Sequence, residues 1–213
     1  MPQVFEVCHP LAQYHLSRLR DKSTPPVEFR TLIQRLTGLL AYEATQDLLL
    51  HDIAVETPLT KMTGRTLSQQ IGLVPILRAG LGMVDPVLNL IPTAEVWHLG
   101  LYRDEATALP VEYYSKLPKT KPVDVGIVLD PMLATGGSAT AALEALRDWG
   151  VPSLKLLSII SAQDGIRTVA SQFPQVQIYT CAIDPELNSR KFIVPGLGDA
   201  GDRTFNTLRY LTE

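Results

Sequence analysis

Residue type and spacing point most directly to chemistry in the run Asp130-Pro131-Met132-Leu133-Ala134-Thr135-Gly136-Gly137-Ser138. It follows the apolar stretch Val125–Leu129 and precedes Ala139–Trp149, which has the pattern of a helix, so the order is strand, acid, small-residue loop, helix. Backbone N–H groups from Thr135 to Ser138 can converge on a phosphate there, because Gly136 and Gly137 carry no side chain to block it and the helix start adds positive potential. The Thr135 and Ser138 hydroxyls supply further donors. The Asp130 carboxylate, set back at the strand end, can accept hydrogen bonds from sugar hydroxyls. Other loop chemistries fail on single residues: a Walker loop needs a lysine after its second glycine, and a nucleophile elbow needs glycine where Thr140 stands. Gly80-Leu81-Gly82-Met83-Val84-Asp85 starts like a dinucleotide fingerprint but ends in aspartate. The competing reading of the Asp130 loop is a plain glycine turn with a helix cap.

The elements that must position this loop follow a regular rhythm. Continuous apolar runs at Ile71–Leu77, Val96–Leu101, Val125–Leu129, Leu154–Ile160 and Val176–Ile183 read as strands buried on both faces. Helical stretches at Gly82–Ile91, Gly137–Trp149 and Gln163–Gln172 separate most of them, so the expected fold class is α/β, a mostly parallel sheet with helices on both faces. Two helices come first: Pro10–Asp21, and one with the apolar face Phe29, Leu32, Ile33, Leu36, Leu39 and Leu40. An alternating stretch from Ile53 to Leu59 ends near a turn signal at Thr63-Gly64 and reads as a hairpin arm or edge strand. Two segments break the rhythm. Tyr102–Pro122, with acids, prolines and tyrosines, reads as a protruding hairpin or lid, and Pro185–Arg203 is a polar, glycine-rich run after the last strand.

Composition bounds the rest. With 213 residues, 46% apolar and 19% charged, the chain is expected to form one domain over residues 1–213, and disorder is excluded. A net charge of −3 gives no bulk attraction to nucleic acid or to an anionic membrane, so neither is expected as a partner and any phosphate must be held locally. No segment approaches the length of a membrane-spanning apolar run and no leader pattern opens the chain, so it is expected to be cytoplasmic. Cys8 and Cys181 are too few and too far apart for a zinc site, and are expected to be buried thiols.

The Asp130–Ser138 run followed by Ala139-Thr140 resembles the 5-phosphoribosyl-1-pyrophosphate (PRPP) signature of type I phosphoribosyltransferases, in the wording of the uracil phosphoribosyltransferase family. Val74–Met83, Tyr102–Glu105, Pro195–Arg203 and Tyr42–Thr45 fit the same family, in its order, so the resemblance runs from about His9 to Thr207. It implies transfer of the phosphoribosyl group from PRPP to uracil, giving uridine 5′-monophosphate (UMP) and pyrophosphate. It also implies the type I phosphoribosyltransferase fold, with N-terminal helices, a β-arm or lid at 102–122 and a base-binding hood at 185–203.

By the same resemblance, Arg78, Arg103 and Asp130 carry the reaction. PRPP is bound by those three with Pro131, Met132, Leu133, Ala134, Thr135, Gly136, Gly137, Ser138 and Asp199, and uracil by Ile193, Gly198, Asp199 and Ala200. Arg78 follows an apolar run, where a guanidinium can engage pyrophosphate bidentately beside the small Ala79-Gly80 backbone. Mg²⁺ comes in on PRPP, and Leu129 stands where many PRPP loops have a first acid, so no protein metal cage is expected. His9, His15, His51 and His98 lie outside the motifs. The family resemblance brings a homo-oligomer, to which the Phe29–Leu40 face and the 102–122 arm are candidate contributors, burial against the sheet explaining the helix face equally well, and activation of some members by GTP, for which no residue pattern stands out. Where the family reads Asn-x-x-Gly-Tyr and Phe-Gly-Thr, this chain has Lys191-Phe192 and Asn206, which places a side chain at two glycine positions. The alternatives are a nucleotide-binding regulator on the same fold and a phosphoribosyltransferase for another base.

Overall fold

The computed structural model of the chain describes residues 3–103, 110–115, 117–118 and 121–207, with backbone alone for 99–103 and 110–115. In chain order the elements are β1 (Gln3–Glu6), α1 (Pro10–Arg20), α2 (Pro26–Ala44), β2 (Leu50–Glu56), β3 (Lys61–Leu67) and β4 (Ile71–Pro75). A 3₁₀ turn at Ala79–Met83 leads into α3 (Val84–Leu90), then β5 (Glu95–Val96), β6 (Leu99–Arg103), β7 (Pro110–Ser115), β8 (Val125–Leu129) and β9 (Met132–Leu133). The chain continues through α4 (Gly137–Trp149), β10 (Ser153–Ala162), α5 (Gln163–Gln172), β11 (Gln177–Asp184), β12 (Glu186–Leu187), β13 (Ile193–Val194) and α6 (Ala200–Phe205). Pro10 and Pro26 open α1 and α2, where a missing N–H costs no helical hydrogen bond, and His9 Nδ1 caps α1 by accepting from Leu11 N at 3.1 Å.

The main sheet is parallel throughout, in the order β1-β11-β10-β8-β4-β5, with β9 pairing on β10 beyond the end of β8. Side chains alternate across it. Val125, Ile127 and Leu129 of β8 face α1, α2 and α3, whereas Val128 faces α4 and α5. From β4 the chain crosses outward to β5, and from β8 it crosses the other way to β10. The strand order therefore reverses between β4 and β8, and ligands of open α/β sheets bind at the carboxyl ends of such a pair.

Most of the α2 stripe is used inside the molecule: Phe29, Leu32, Ile33, Leu36 and Leu40 are buried, and Leu39 is partly buried against the same core. Its carboxyl end is held by Lys155, a lysine only 1% exposed, whose Nζ donates to Ala44 O at 2.6 Å and pairs with Asp47. A buried ammonium is tolerable because a helix-terminal carbonyl and a carboxylate both meet it.

Several boundaries differ from the sequence reading. The Val96–Leu101 run is not one buried strand: β5 ends at Val96, and the chain leaves the main sheet to form the antiparallel β6–β7 hairpin. That hairpin starts the expected 102–122 arm, although residues 104–109, 116 and 119–120 lie outside the described residues. The first strand of the site ends at Pro75 rather than Leu77, and the expected 82–91 helix begins as a 3₁₀ turn at Ala79. Thr63-Gly64 is not a turn. It lies inside β3, opposite Ala54 and Ile53, and the turn is Thr57–Thr60, closed by Thr57 N donating to Thr60 O at 2.9 Å. Of the two cysteines Cys181 is buried but Cys8 is exposed.

Candidate functional site

The loop after β8 is built in two halves. Its first half is pinned to β10: Ile159 N and Ile160 N both donate to Pro131 O at 3.1 Å, and Leu133 N donates to the buried Ser158 hydroxyl at 3.0 Å. Leu133 itself points into the core. The second half, Ala134–Ser138, stands clear of the sheet and turns into α4 through Gly136, which has φ +87°. A side chain at Gly136 would be strained by that φ and would also press on Gly165 O and Thr168 of α5. Gly165 in turn lies so close to the loop that a Cβ would sit 2.6 Å from Ala134 O and 2.7 Å from Leu133 O. No side chain caps the start of α4, which leaves its first N–H groups without a side-chain acceptor beside the loop.

That hollow has a volume of about 160 Å³ and is lined by Asp130 and by Met132 through Ala139. Wider hollows of about 670 and 780 Å³ lie at the β1–β11 edge and between α2 and α3, and neither includes this loop. Asp130 sits at the sheet end of the small hollow, with Met132 N donating to Oδ1 at 3.3 Å. Burial pushes its carboxyl up to about 7, and that one backbone hydrogen bond only partly opposes the shift.

Arg78 is brought beside this loop from β4. Ile76 N donates to Leu129 O at 2.9 Å, and Gly80 packs so tightly on the end of β8 that a Cβ there would collide with the Leu129 carbonyl. Arg78 and Asp130 thus rise from adjacent strand ends, Arg78 three residues after β4 rather than directly after it. The Leu77–Arg78 peptide bond is cis. The guanidinium reaches across to the last helix, with Nη2 3.2 Å from Asp202 Oδ1 and 3.7 Å from where a Cβ on Gly201 would stand.

The hood is the β12–β13 hairpin with α6. Ile193 is buried in β13 opposite Leu187, and Gly198 has φ +78°. Asp199 is the N-cap of α6: its Oδ1 accepts from Asp202 N at 2.8 Å, and Ala200 is buried just inside the helix. Two arginines fasten the hood to α1. Arg20 pairs with the buried Asp184 at 2.7 Å and donates to Gly196 O at 2.9 Å, while Gly196 N donates to Asp184 Oδ2 at 2.9 Å. Arg203 donates to Leu197 O, Leu19 O and Asp21 O at 2.7, 2.9 and 2.6 Å, with its guanidinium 4.3 Å above the Phe29 ring.

Of the residues expected from sequence, Asp130–Ser138, Arg78 and Asp199–Ala200 are therefore gathered at the carboxyl end of the sheet, and Arg103 ends β6 with its side chain outside the described residues. The sequence reading missed Ser158, Gly165, Asp184 and Arg20, and placed Asp202 only within the glycine-rich run with no role of its own; these residues hold the loop, the hood or Arg78. Only the glycine at 165, one turn into a helix, carried a signal. His9 caps α1, and His51 Nδ1 lies 3.2 Å from Ser68 Oγ, away from the loop and hood. Among the described residues no group of three or more His, Cys, Asp or Glu is placed to hold a metal ion, and no helix is long and apolar enough to cross a membrane.

Comparison with known proteins finds relatives over nearly the whole length. Residues 6–207 match the family model described as uracil phosphoribosyltransferase. A uracil phosphoribosyltransferase of Roseiflexus castenholzii is 56% identical, covering 97% of this chain and all of the relative. A solved protein of Aquifex aeolicus superposes with a TM-score of 0.92 at 35% identity, covering 98% of this chain and 100% of that one. A hypoxanthine phosphoribosyltransferase of Trypanosoma cruzi, at 10% identity and a TM-score of 0.50 over 74% of this chain and 75% of its own, shares the fold alone. With a phosphate-type loop, a strand-end arginine and a glycine-rich hood meeting where the strand order reverses, and with this match in sequence, the chain belongs to the uracil phosphoribosyltransferase family.

Proposed function

We propose that the protein is a pentosyltransferase of pyrimidine salvage that joins uracil N1 to C1 of PRPP, releasing pyrophosphate and the N1 proton and forming UMP. The observation that carries this reading is the meeting of the Asp130–Ser138 loop, Arg78 and the hood at one strand-end junction. Loop N–H groups from Thr135 to Ser138 would take the 5′-phosphate, and Asp130 would accept from the ribose hydroxyls. Arg78 and Arg103 would take the pyrophosphate. Because pyrophosphate is already a good leaving group, the protein's task is to align N1 with C1 and to stabilise charge on the departing oxygens. The main-chain groups around Ile193, Gly198 and Ala200, with Asp199, would read the two carbonyls and the imide N–H of the base.

Mg²⁺ fits as an ion carried on PRPP. The loop offers it a single carboxyl, Asp130, so most of its oxygen ligands would be substrate and water, and when bound it supplies charge neutralisation on the pyrophosphate. The reading further takes residues 1–213 as one cytoplasmic domain with an arm at 102–122 and a hood at 185–203, acting as a homo-oligomer. GTP, brought by the family resemblance as an effector, has no residues assigned to it.

Purified protein given PRPP and Mg²⁺ with uracil, cytosine, hypoxanthine or orotate in turn is expected to release pyrophosphate with uracil alone. Activity with another base and none with uracil would overturn the reading.

A further inference from the structure

Asp202 belongs to neither substrate in the reading above, yet it is the side chain that holds Arg78. Its Oδ1 lies 3.2 Å from Arg78 Nη2 and accepts from Thr207 Oγ1 at 2.6 Å. Thr207 Oγ1 is itself 3.5 Å from Arg78 Nη1, so both terminal nitrogens of the guanidinium face one carboxylate and hydroxyl pair. The acid is fixed in place. Asp202 N donates to Asp199 Oδ1 at 2.8 Å, Asp202 O accepts from Thr207 N at 3.0 Å, and the Asp202 side chain is 20% exposed against 60% for Arg78. Arg78 is the member of the pair with room to turn.

We propose that Asp202 is a positioning residue that competes with pyrophosphate for Arg78. Its carboxylate holds the guanidinium in the substrate-free protein, yields it as the pyrophosphate group of PRPP arrives, and takes it back as product pyrophosphate leaves. The inference rests on the reading of Arg78 as a pyrophosphate-binding residue. Its physical basis is that a guanidinium shared between two anions binds each less tightly than it would bind one alone, and that a carboxylate facing a multiply charged product repels it. An enzyme that held pyrophosphate with the full strength of an unshared arginine would be slow to release it, and product release limits many enzymes. Because Asp202 lies on α6, directly after the base-reading turn, this exchange also ties the pyrophosphate end of the site to the hood.

The test is calorimetric titration with inorganic pyrophosphate and Mg²⁺ of the wild type, the neutral variants Asp202→Asn and Asp202→Ser, and the charge-keeping Asp202→Glu, each checked for folding by its thermal midpoint. The neutral variants are expected to bind pyrophosphate about fivefold more tightly and to be inhibited by it correspondingly more strongly, the scale of one partly exposed ion pair. Asp202→Glu is expected to return affinity toward the wild-type value. A merely structural role would lower the thermal midpoint and leave pyrophosphate affinity unchanged or weaker. Either affinity result in a folded neutral variant overturns the proposal. Because the titration needs no turnover, an absence of uracil-dependent activity in the wild type would count against the functional reading alone.

Discussion

On the proposed reading of Asp130 as a ribose-binding residue, the demands of binding there oppose those of folding. A carboxyl raised from its ordinary 3.8 to about 7 by burial keeps its proton in the folded state where the unfolded chain has lost it. Between about pH 4 and pH 7 the folded state therefore binds more protons, and Asp130 subtracts from stability as pH rises through that window. Asp130→Asn should raise the thermal midpoint at pH 8, with the gain fading as pH falls toward 4. The same substitution should weaken PRPP binding by about tenfold or more in calorimetry, because it removes charge-assisted acceptors for the ribose hydroxyls. It should also remove the part of wild-type affinity that grows between pH 6 and 8 as Asp130 ionises. Unchanged affinity would take Asp130 out of the site.

Lys191 and Asn206 behave differently from one another. Both stand where the family resemblance has glycine, and both adopt left-handed backbone, with φ of 64° and 57°. Asparagine tolerates that region, and lysine does so only against its Cβ. The Lys191 turn is imposed by Asn188, whose Oδ1 accepts from Arg190 N and Phe192 N at 2.9 and 3.0 Å. Lys191→Gly should stabilise the protein by about 0.5–1 kcal/mol in denaturant unfolding. A loss of stability would show that the lysine side chain contributes something its exposure does not suggest. At this scale the sequence is legible where the candidate residues are contiguous. Asp130–Ser138 is contiguous, and its chemistry can be read in order, whereas the partner that holds Arg78 lies 124 residues away and no spacing rule connects them.

Among the elements, β8, α4 and α5 keep the boundaries expected of them, because apolar runs and helix patterns there are bounded by Asp130, Gly136 and Gly150, residues that stop a regular structure for a local reason. The Val96–Leu101 run misled because apolarity reports burial and not which sheet a strand joins; after two residues on β4, the same composition serves the β6–β7 hairpin. Thr63-Gly64 misled for a related reason, since a small residue was needed for packing: a Cβ on Gly64 would press on Val55. The contact of α5 with the Asp130 loop makes a prediction of this kind. Gly165→Ala inserts a methyl group against Leu133 O and Ala134 O, which should cost about 1–3 kcal/mol and lower PRPP affinity roughly tenfold, although residue 165 touches no substrate. Retained PRPP affinity in the folded variant would show that the loop tolerates the shift.

For the whole molecule, alternation of strands and helices gave the parallel sheet, but strand order was out of reach, since it depends on which way each crossover turns. The site depends on that order, because Arg78 and Asp130 meet only where β4 and β8 are neighbours. Among the described residues, the β2–β3 hairpin exposes several large apolar side chains. Leu50, Ile53 and Met62 are exposed and Leu59 is 96% exposed, and a two-stranded hairpin is marginal in water without a surface to lie on. With most of the α2 stripe buried, this hairpin joins the 102–122 arm as a candidate contributor to the expected self-association. Light scattering should give a multiple of the 23.4 kDa chain mass, and Met62→Asp should shift it toward a single chain. A monomer in the wild type would remove self-association from the reading.

The fastening of the hood to α1 has a consequence for how the protein is made. Leu19 and Asp21 leave the ribosome 184 and 182 residues ahead of Arg203, which donates to both of their carbonyls. A nascent chain can complete the sheet, the Asp130 loop and α4 while the hood is still unsynthesised. The end of α1 must wait with open carbonyls for α6 to arrive. On the proposed reading of the hood, base recognition is therefore acquired after the phosphate loop, and a chain ending a few residues before Arg203 is expected to keep the loop with no place for a base.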